Sequence, residues 1–399
     1  MACQKPSEIY LHGQYSTIFP RYPLTRNILR RLQLRTQSAN LRKVQKSIIV
    51  YTRVFTYGRM NGDKGNLRSV RPFCTGGIVI FITQGVQSLL TLALAEDIGR
   101  GDWTSEWMIP QNLNATATVW VKQMGVVAGI PILARVYREL DSTIQVLPLV
   151  DEGTEVREST PICRVVGSAR ALLAGERVGL NFVARLSGIA TLTRLAVNRL
   201  TGTGVQLLDT RKTTPGWRDL EKYAVRLGGG RNHRFGLDDM ILIKDNHIAL
   251  AGGIGAAVSQ VRRQMALSQR IEVEVETLEQ LAEALHSGAD LILLDNMDIS
   301  TLKRAVDIVQ GRVPLEASGN MTLERLPEIA ATGVNFISMG GLTHGAVSLD
   351  VGLDVDLGID LDGATDEEID PHAADGMSQP NGGCVRNEEG VVADATRGF

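Results

Sequence analysis

The chain has few of the residues that build disulfide or metal frameworks, and their spacing excludes the common forms of both. Its 399 residues include four cysteines, and no two of them form a C-x-x-C pair. The six histidines include no H-E-x-x-H motif and no pair at helical ligand spacing. We therefore expect neither a disulfide framework nor a zinc site, and a reducing compartment is the default expectation.

One sign of charge is scarce at each end of the chain. Up to Pro72 the only acidic residues are Glu8 and Asp63, whereas acidic residues dominate after Val351. Charged ends around a balanced middle predict tails around a folded core. Residues 1–83 are therefore expected to be a basic extension, either disordered or used for targeting, and residues 358–399 an acidic disordered tail. The net charge of −2 gives no sign of a nucleic-acid partner.

The basic extension bears on where the protein is found. It is rich in Arg, contains Ser and Thr, and is poor in acids, as organelle transit peptides are. We expect a cytoplasmic protein, with an organelle as the alternative if the extension is a presequence. The stretch from Pro72 to Ala95 carries no charge, but glycines and polar side chains interrupt it. We therefore expect no membrane span.

The folded core is expected to begin with a small α+β domain over residues 84–200. Apolar spacing predicts a short helix and then several short strands separated by Gly and Pro. A long helical stretch follows, with an interruption predicted near Ser187-Gly188. The elements predicted are a helix at Val86–Glu96, strands at Ala115–Val121, Gly125–Ile130 and Cys163–Val166, and the helical stretch Ala169–Leu200.

A different pattern fills residues 201–345, where short apolar runs alternate with amphipathic helices such as Ile299–Val309. Such units predict a parallel sheet, closed or nearly closed into a (β/α) barrel. A doubly wound open sheet is the alternative, disfavoured because no G-x-G-x-x-G follows an early strand. The runs are Val205–Leu208, Met240–Ile243, Ile271–Val275, Leu291–Leu294, Val313–Leu315 and Asn335–Ser338.

Polar residues lie within or directly after each run, where a barrel places its chemistry. A single charged residue after a strand is more often a solvated loop residue. Polar residues at the ends of all six predicted strands, however, indicate a site. Cations able to bind carboxylate or phosphate are Arg211, Lys212, Arg234 and Lys244. Glu274 and Asp295 among them suggest Mg²⁺. Backbone amides of Ser318, Gly319, Asn320, Gly340 and Gly341, expected near helix N-termini, suggest a phosphate site. The glycine-rich loop at 228–230 leads to His233 and Arg234.

Eight segments of the chain form a recognisable set in this order and spacing. They are E-D-I-G-R-G-D-W-T-S (96–105), G-E-R-V-G-L-N-F-V-A-R-L-S-G-I-A-T (175–191), D-T-R-K-T-T-P-G (209–216), G-G-G-R-N-H-R (228–234), I-K-D-N-H-I (243–248), L-L-D-N-M (293–297), E-A-S-G-N (316–320) and I-S-M-G-G-L-T-H (337–344). Over roughly residues 86–357 the chain closely resembles the quinolinate phosphoribosyltransferases. Trp103 and Trp217 stand where that family usually has smaller apolar residues, and Gly341 stands where Ala is more usual.

The resemblance implies a fold, an assembly and a reaction. The fold is a small α+β N-terminal domain packed on an incomplete (β/α) barrel, with residues 346–357 returning to the N-terminal domain. The assembly is a homodimer with shared active sites, and larger assemblies such as a hexamer of dimers occur in the family. In the reaction, quinolinate and phosphoribosyl pyrophosphate give nicotinate mononucleotide, pyrophosphate and CO₂, with Mg²⁺, in NAD biosynthesis.

The resemblance also assigns roles to residues, and these are expectations. Lys212, Lys244, Glu274 and Asp295 would form the catalytic set. The residues expected around the quinolinate carboxylates are Arg211, His233, Arg234 and Lys244, with Arg177 from the partner subunit. Those expected at the phosphates are Lys212, Ser318, Gly319, Asn320, Gly340 and Gly341, and Thr213 is expected to bind substrate. The ribose hydroxyls or Mg²⁺ would be held by Glu274 and Asp295.

Three other interpretations of the same residues stay open at this point. Lys244 directly follows a strand, so it could be the Schiff-base lysine of a barrel aldolase. A molybdate-associated phosphoribosyltransferase would share the fold and use another acceptor, although the Arg and His set for two carboxylates argues against it. A binding protein without catalysis is disfavoured by the intact set of cations and acids.

Overall fold

The computed structural model describes residue 80 and residues 82–356. The predicted basic extension lies outside the described residues except at residues 80, 82 and 83, and the predicted acidic tail lies wholly outside them. The first part of the described chain consists of α1 (Gln84–Ile98), α2 (Trp103–Met108), β1 (Asn114–Val121), β2 (Gly125–Val126), α3 (Ile130–Leu140), β3 (Gln145–Pro148), β4 (Glu155–Val156), β5 (Thr160–Ser168) and α4 (Ala169–Arg199).

An antiparallel sheet forms the centre of this first domain. Along strand β1, Ala117, Val119 and Val121 lie on one face and are 0% exposed, as expected for a strand with one face on a core. It pairs with β5 on one side and, on the other, with the last described strand, β12 (Val351–Asp356). The chain therefore returns to the first sheet after the second domain is complete. Buried Leu133 of α3 and Leu180 of α4 pack on this sheet.

The predicted interruption of the long helix at Ser187-Gly188 is wrong, because α4 runs without a break from Ala169 to Arg199. Both residues instead allow another segment to approach the helix. Ser187 Oγ accepts a hydrogen bond from the backbone N–H of Ala128 at 2.9 Å. A Cβ on Gly188 would lie 2.0 Å from the carbonyl oxygen of Val347. The glycine is required by tight packing rather than by a break in the helix.

A second prediction fails in the same domain. The stretch Gly125–Ile130 has the composition of a strand, yet only Gly125 and Val126 are extended and Ile130 begins α3. Gly129 takes a φ of 109° just before the helix, and the carboxylate of Glu152 accepts the backbone N–H groups of Gly129 and Ile130 at 2.8 Å each. A distant carboxylate therefore satisfies the first helical amides, which the local sequence does not reveal.

The second domain alternates strands and helices. Its elements are β6 (Gln206–Leu208), α5 (Arg218–Leu227), β7 (Ile241–Ile243), α6 (Asp245–Ala251), α7 (Ile254–Arg262), β8 (Ile271–Val275), α8 (Leu278–His286), β9 (Leu291–Asp295), α9 (Ile299–Val309), β10 (Leu315–Ser318), α10 (Leu326–Ala330), β11 (Phe336–Ser338) and α11 (Gly341–His344). The six strands form one parallel sheet in the order β6-β11-β10-β9-β8-β7. Among the described residues, β6 and β7 do not pair with each other, so the barrel is incomplete.

Local sequence explains most of these bounds. Asp298 caps α9, because its carboxylate accepts the backbone N–H of Thr301 at 2.7 Å, and Thr277 caps α8 in the same way. The predicted run at Val313–Leu315 is misplaced, since β10 begins at Leu315. Pro314 lacks the N–H that a strand in mid-sheet must donate, which explains the later start.

Buried aliphatic side chains fill the space between sheet and helices. Ile292 and Leu294 of β9 and Leu302 of α9 are 0–1% exposed. Their faces are fixed by period two in the strand and by helical spacing in α9. No helix in the part of the chain that the structure describes is long and apolar enough to cross a membrane.

Candidate active site

Two arginines are crowded together beyond the C-terminal ends of the strands. Arg234 is 8% exposed and donates to the carbonyl oxygen of Met240 at 3.0 Å. Burial lowers the pKa of Arg234, and the neighbouring charge of Arg211 lowers it further. The Nε atom of Arg211 is buried and has no acceptor among the residues that the structure describes. Two cations held this closely favour an anionic ligand with at least one charged group for each.

A lysine and an acid meet at the same edge of the sheet. Lys244 directly follows β7, and its Nζ atom forms an ion pair with Oε2 of Glu274 on the neighbouring strand β8. Asp295 ends β9, where its Oδ2 atom accepts a hydrogen bond from Asn296 Nδ2 at 2.7 Å. Glu274 lies opposite Leu293, so Asp295 lies on the same face two residues further toward the strand ends. The parallel sheet thus brings together three predicted catalytic residues that are distant in sequence.

A buried ion pair fixes the loop that carries His233. Asp209 and Lys222 are both fully buried, and Lys222 Nζ donates to Asp209 Oδ1. The same carboxylate accepts from Asn232 Nδ2 at 2.6 Å and from the backbone N–H of His233 at 2.8 Å. Lys222 also donates to the carbonyl oxygen of His233 at 3.0 Å. Asp209 therefore holds this part of the site in place from within, while Arg211, two residues on, is partly exposed.

Both ring nitrogens of His233 have protein partners. Nδ1 accepts a hydrogen bond from the backbone N–H of Arg234 at 2.7 Å, so the ring proton lies on Nε2. Nε2 lies 3.0 Å from a carboxylate oxygen of Glu272 and 3.5 Å from one of Glu316. Burial acts to lower the pKa of His233, but these two carboxylates outweigh it and the pKa is raised. The predicted contact of His233 with a substrate carboxylate stays a prediction.

The two glutamates below His233 make the barrel interior unusually polar. Glu272 and Glu316 are fully buried, and in the described part of the chain their carboxylate oxygens have no other hydrogen-bond donors. Burial, and then the neighbouring Glu272, raise the pKa of Glu316 to about 8. Within the described residues, these two and His233 form the one group of three side chains close enough to share a cation. This cluster lies deeper than the predicted metal ligands Glu274 and Asp295.

The loop after β10 requires its glycine. Gly319 has a φ of 93°, and a Cβ there would lie 2.1 Å from Oδ1 of Asn296. Asn296 and Asn320 also take positive φ values, of 54° and 49°. The prediction that this loop lies at a helix N-terminus is wrong, because the next helix, α10, begins only at Leu326. Its backbone amides are presented by left-handed residues instead, which also form anion-binding turns.

Two further loops meet after the paired strands β6 and β11. We name them the Lys212 loop (residues 209–217) and the Gly340 loop (residues 340–346). A Cβ on Gly340 would lie 2.9 Å from Cδ of Lys212, so the lysine side chain passes directly over the glycine. Gly341 begins the short helix α11, as predicted. Thr213 lies beside Lys212, and its Oγ1 atom accepts a hydrogen bond from Arg218 at 3.0 Å.

Arg177 belongs to the other domain. It lies on α4, its side chain is exposed, and within the described part of the chain its guanidinium forms no hydrogen bond or ion pair. On the same domain, Trp103 and Trp107 are 52% and 78% exposed and stack with their ring centroids 5.8 Å apart. Trp217, by contrast, stacks on Phe182 at 4.6 Å and serves packing.

Sequence reasoning missed the residues that hold the site in place. Lys222, Glu221 and Arg185 lie on helices, and helical spacing alone gives no reason to assign them to a site. Glu316 stands out in the sequence only as part of a motif. Glu272 did carry a signal, since it lies two residues before Glu274 and must share its face of the strand.

A parallel α/β sheet with two crowded arginines, a lysine and two acids at its strand ends defines a class of enzyme that acts on multiply charged anions. The comparisons with known proteins agree. The family descriptions "Quinolinate phosphoribosyl transferase, N-terminal domain" and "C-terminal domain" match residues 102–187 and 189–354. The chain belongs to the quinolinate phosphoribosyltransferase family.

Curated relatives and solved structures support the same family. The "Probable nicotinate-nucleotide pyrophosphorylase [carboxylating]" of Bacillus subtilis is 46% identical over 270 residues, which are 68% of this chain and 93% of the relative. The "Quinolinate phosphoribosyltransferase [decarboxylating] 2, mitochondrial" of Nicotiana glauca is 40% identical over 70% of this chain and 85% of its own. The nicotinate-nucleotide pyrophosphorylase structure from Francisella tularensis is 39% identical, with a TM-score of 0.66, over 68% of this chain and 96% of its own.

Proposed function

We propose that the protein transfers the phosphoribosyl group of phosphoribosyl pyrophosphate to quinolinate and removes a carboxylate, giving nicotinate mononucleotide, pyrophosphate and CO₂ for NAD biosynthesis. One observation carries the proposal: Arg211 lies close enough to Arg234 to lower its pKa, and among the described residues the buried Nε atom of Arg211 has no acceptor. A dicarboxylate supplies the acceptors that this arrangement favours. The family and the named relatives support the same reaction.

In this reaction the cations orient the acceptor and stabilise charge. The carboxylates of quinolinate would lie against Arg211 and Arg234, with its ring nitrogen toward the sugar carbon. Pyrophosphate leaves that carbon and the nitrogen attacks it, so no covalent protein intermediate is needed. The pyridinium formed stabilises the carbanion that remains when the adjacent carboxylate leaves as CO₂, and that carbon then takes up a proton from water to give nicotinate mononucleotide. Lys244 would approach the same carboxylates from β7.

Phosphoribosyl pyrophosphate would bind across the neighbouring loops. Lys212 and Thr213 would meet its phosphate oxygens, and Lys212 passes over Gly340 in a position to do so. The 5′-phosphate would accept hydrogen bonds from backbone amides of the Gly340 loop and of residues 318–320. Backbone amides in left-handed turns and at helix starts suit phosphate oxygens.

We also propose Mg²⁺, with Glu274 and Asp295 as its protein ligands. The donor set fits, because Mg²⁺ prefers one or two carboxylates and takes its remaining ligands from water and substrate oxygens. When bound, the ion would neutralise part of the charge on the leaving pyrophosphate. Glu274 is paired with Lys244 here, so the lysine and the ion would share one carboxylate.

We propose a homodimer in which Arg177 completes the site of the partner subunit. Two observations support this: the exposed guanidinium of Arg177, which has no partner among the described residues, and the exposed stacked pair Trp103 and Trp107 on the same domain. Exposed tryptophans are typical of surfaces that pack on another protein. A cation from the partner would add to those that face the quinolinate carboxylates.

We propose the cytoplasm as the location, with an organelle as the alternative. Relatives from plants are named mitochondrial in Nicotiana glauca and chloroplastic in Oryza sativa. A fluorescent fusion of the full chain, compared with a fusion that begins at residue 84, tests this. Organelle fluorescence that needs residues 1–83 would replace the cytoplasmic assignment.

The decisive experiment is an assay for nicotinate mononucleotide from quinolinate, phosphoribosyl pyrophosphate and Mg²⁺. We expect turnover that Arg211→Ala or Lys244→Ala reduces by about 10²-fold or more while each variant unfolds cooperatively like the parent. Absence of turnover by the parent protein would refute the reaction. Near-normal turnover of either variant would refute that residue's role.

The same preparation tests the aldolase alternative. Borohydride would trap a carbonyl substrate on Lys244 if a Schiff base formed. We expect no adduct, because Lys244 is engaged as a cation with Glu274.

A further inference from the structure

Arg185 lies beneath the Lys212 loop and the Gly340 loop. It belongs to the A-R-L-S-G segment of α4, and its side chain is 21% exposed. Nη1 donates to the carbonyl oxygen of Ala346 at 2.7 Å, and Nη2 donates to that of Thr343. One guanidinium from the first domain therefore binds both ends of the last turn of the Gly340 loop.

The same guanidinium binds an acid that holds the Lys212 loop. Arg185 Nη2 donates to Oε1 of Glu221 at 3.0 Å, and Glu221 is fully buried at the start of α5. Its carboxylate accepts the backbone N–H of Thr214 at 3.1 Å and the Thr214 hydroxyl at 2.9 Å. A buried carboxylate with a cationic partner and two further donors is well satisfied. It therefore fixes Thr214, two residues from Lys212.

A direct contact joins the two loops above this pair. The hydroxyl of Thr343 lies 2.7 Å from the carbonyl oxygen of Lys212 and 3.1 Å from that of Gly340, and it donates its one proton to them. Thr343 is fully buried, so water cannot replace the hydroxyl without a rearrangement.

Backbone contacts with α4 hold the base of this arrangement. The backbone N–H of Leu349 donates to the carbonyl oxygen of Ala184 at 2.9 Å. The close approach of Val347 to Gly188 brings the same segment against α4 on the other side of Arg185. The Gly340 loop therefore cannot move far from α4 while these contacts hold.

We propose that Arg185, Glu221 and Thr343 are positioning residues for phosphoribosyl pyrophosphate. They set the spacing between the Lys212 loop and the Gly340 loop, so that both phosphate-bearing ends of the co-substrate bind at once. The inference rests on the proposed function, and it adds the device that selects this co-substrate. Arg211 also lies in the Lys212 loop, but it stands two residues from Asp209, whose ion pair with the fully buried Lys222 fixes that end of the loop. Quinolinate, which we assign mainly to Arg211 and Arg234, should therefore depend less on the three residues.

Loss of this link should affect the two substrates unequally. Two loops that bind opposite ends of one ligand act as linked sites, and their affinity depends on the distance between them. If the link is lost, each loop still binds phosphate but the pair no longer matches the co-substrate. The affinity for phosphoribosyl pyrophosphate should fall while that for quinolinate changes little.

The experiment compares Arg185→Met and Thr343→Val with a control of similar chemistry far from these loops. The control is Arg262→Met, because Arg262 binds a carboxylate of Asp290 at 2.9 Å and the carbonyl oxygen of Gly288 at 2.6 Å, before the start of β9. Thr343→Ser keeps the hydroxyl. For each variant, kcat and both KM values are measured, together with calorimetric binding of phosphoribosyl pyrophosphate and of quinolinate with Mg²⁺, and thermal unfolding.

We expect Arg185→Met and Thr343→Val to weaken phosphoribosyl pyrophosphate binding by about tenfold or more, as the loss of a charge-assisted or buried hydrogen bond does. Binding of quinolinate should change by less than about threefold, and Thr343→Ser should restore most of the loss. Arg262→Met should lower thermal stability and leave the binding of both substrates unchanged. Equal losses for both substrates, or the same losses in Arg262→Met, would overturn the proposal.

Failure of the proposed function would be seen separately. If the parent protein binds phosphoribosyl pyrophosphate but does not turn over quinolinate, the acceptor assignment fails and the binding comparison still decides the role of these residues. If Arg185→Met does not fold, the Thr343→Val and Thr343→Ser pair carries the test, because it changes one buried hydroxyl.

Discussion

Loss of the Lys222 ammonium group tests how the site is held together. Lys222→Met keeps the length of the side chain and removes its charge, leaving the fully buried Asp209 carboxylate with two neutral donors, Asn232 and His233. Burial already raises the pKa of Asp209 and lowers that of Lys222, and each charge offsets part of its partner's shift. Removing one partner of a buried pair costs about 3–5 kcal/mol.

The carbonyl oxygen of His233 loses a donor in the same variant, because Lys222 donates to it at 3.0 Å. We therefore expect a loss in the upper half of that range. Urea unfolding at neutral pH, followed by far-UV circular dichroism, gives the difference in free energy. The loop that carries His233 should also loosen, so activity should fall further than stability alone explains.

A second variant shows how much of the stability lost in Lys222→Met comes from the unpaired charge of Asp209 and how much from lost packing. In Lys222→Met with Asp209→Leu, neither charge remains, and replacing both partners of a buried pair by apolar groups is often close to neutral. The double variant should therefore recover about half or more of the stability lost in Lys222→Met. A loss under about 1 kcal/mol in the single variant, or a double variant less stable than the single, would refute this account of the pair.

Three further predictions concern other parts of the site. Glu316 has its pKa raised by burial and then by Glu272, from 4.5 to about 8, so the folded protein holds a proton there that the unfolded chain releases. The free energy of unfolding should therefore fall as pH rises from 4.5 to about 8. In Glu316→Gln the urea midpoint should change less with pH over this interval, and an unchanged slope of midpoint against pH would contradict the prediction. Gly319→Ala should abolish or strongly weaken phosphoribosyl pyrophosphate binding, because its φ is 93° and its Cβ would clash with Asn296, whereas Gly341→Ala meets only the flexible end of Met339 and should behave like the parent. Equal effects in calorimetry would oppose this reasoning. Mixing the inactive variants Arg177→Ala and Lys244→Ala after reversible dissociation should restore about a quarter of parental activity, since half of the dimers then carry one intact site. No recovery in dimers shown to exchange subunits would exclude a shared site.

Local periodicity in the sequence predicted most of the elements. Ile271–Val275 and Ile299–Val309 have the predicted bounds, and the other strands of the barrel lie within a few residues of theirs. Alternating burial in strands and helical spacing in amphipathic segments are properties of nearby residues, so one chain suffices to detect them. The predictions at Ser187-Gly188 and Gly125–Ile130 failed because a segment distant in sequence contacts the backbone there. Val347 packs against Gly188, and Glu152 accepts the backbone N–H groups of Gly129 and Ile130.

The candidate site divides in the same way. Arg211, Lys244, Glu274 and Asp295 follow or end strands, and parallel strands bring their C-terminal ends to one edge, so the sequence by itself determined that these residues would meet. Only the tertiary structure decided which of the charged side chains are free to bind a ligand, because burial and ion-pair partners on other elements determine this.

Asp209 illustrates the difference most clearly. By sequence it is a polar residue at a strand end like Arg211, yet it is buried against Lys222 and supports the site from within. Glu221 and Arg185 likewise lie on separate helices, and no local pattern links them to Thr343. Hydrogen bonds between residues so distant in sequence form only when the chain has folded, and these bonds set the spacing of the loops that surround the ligand.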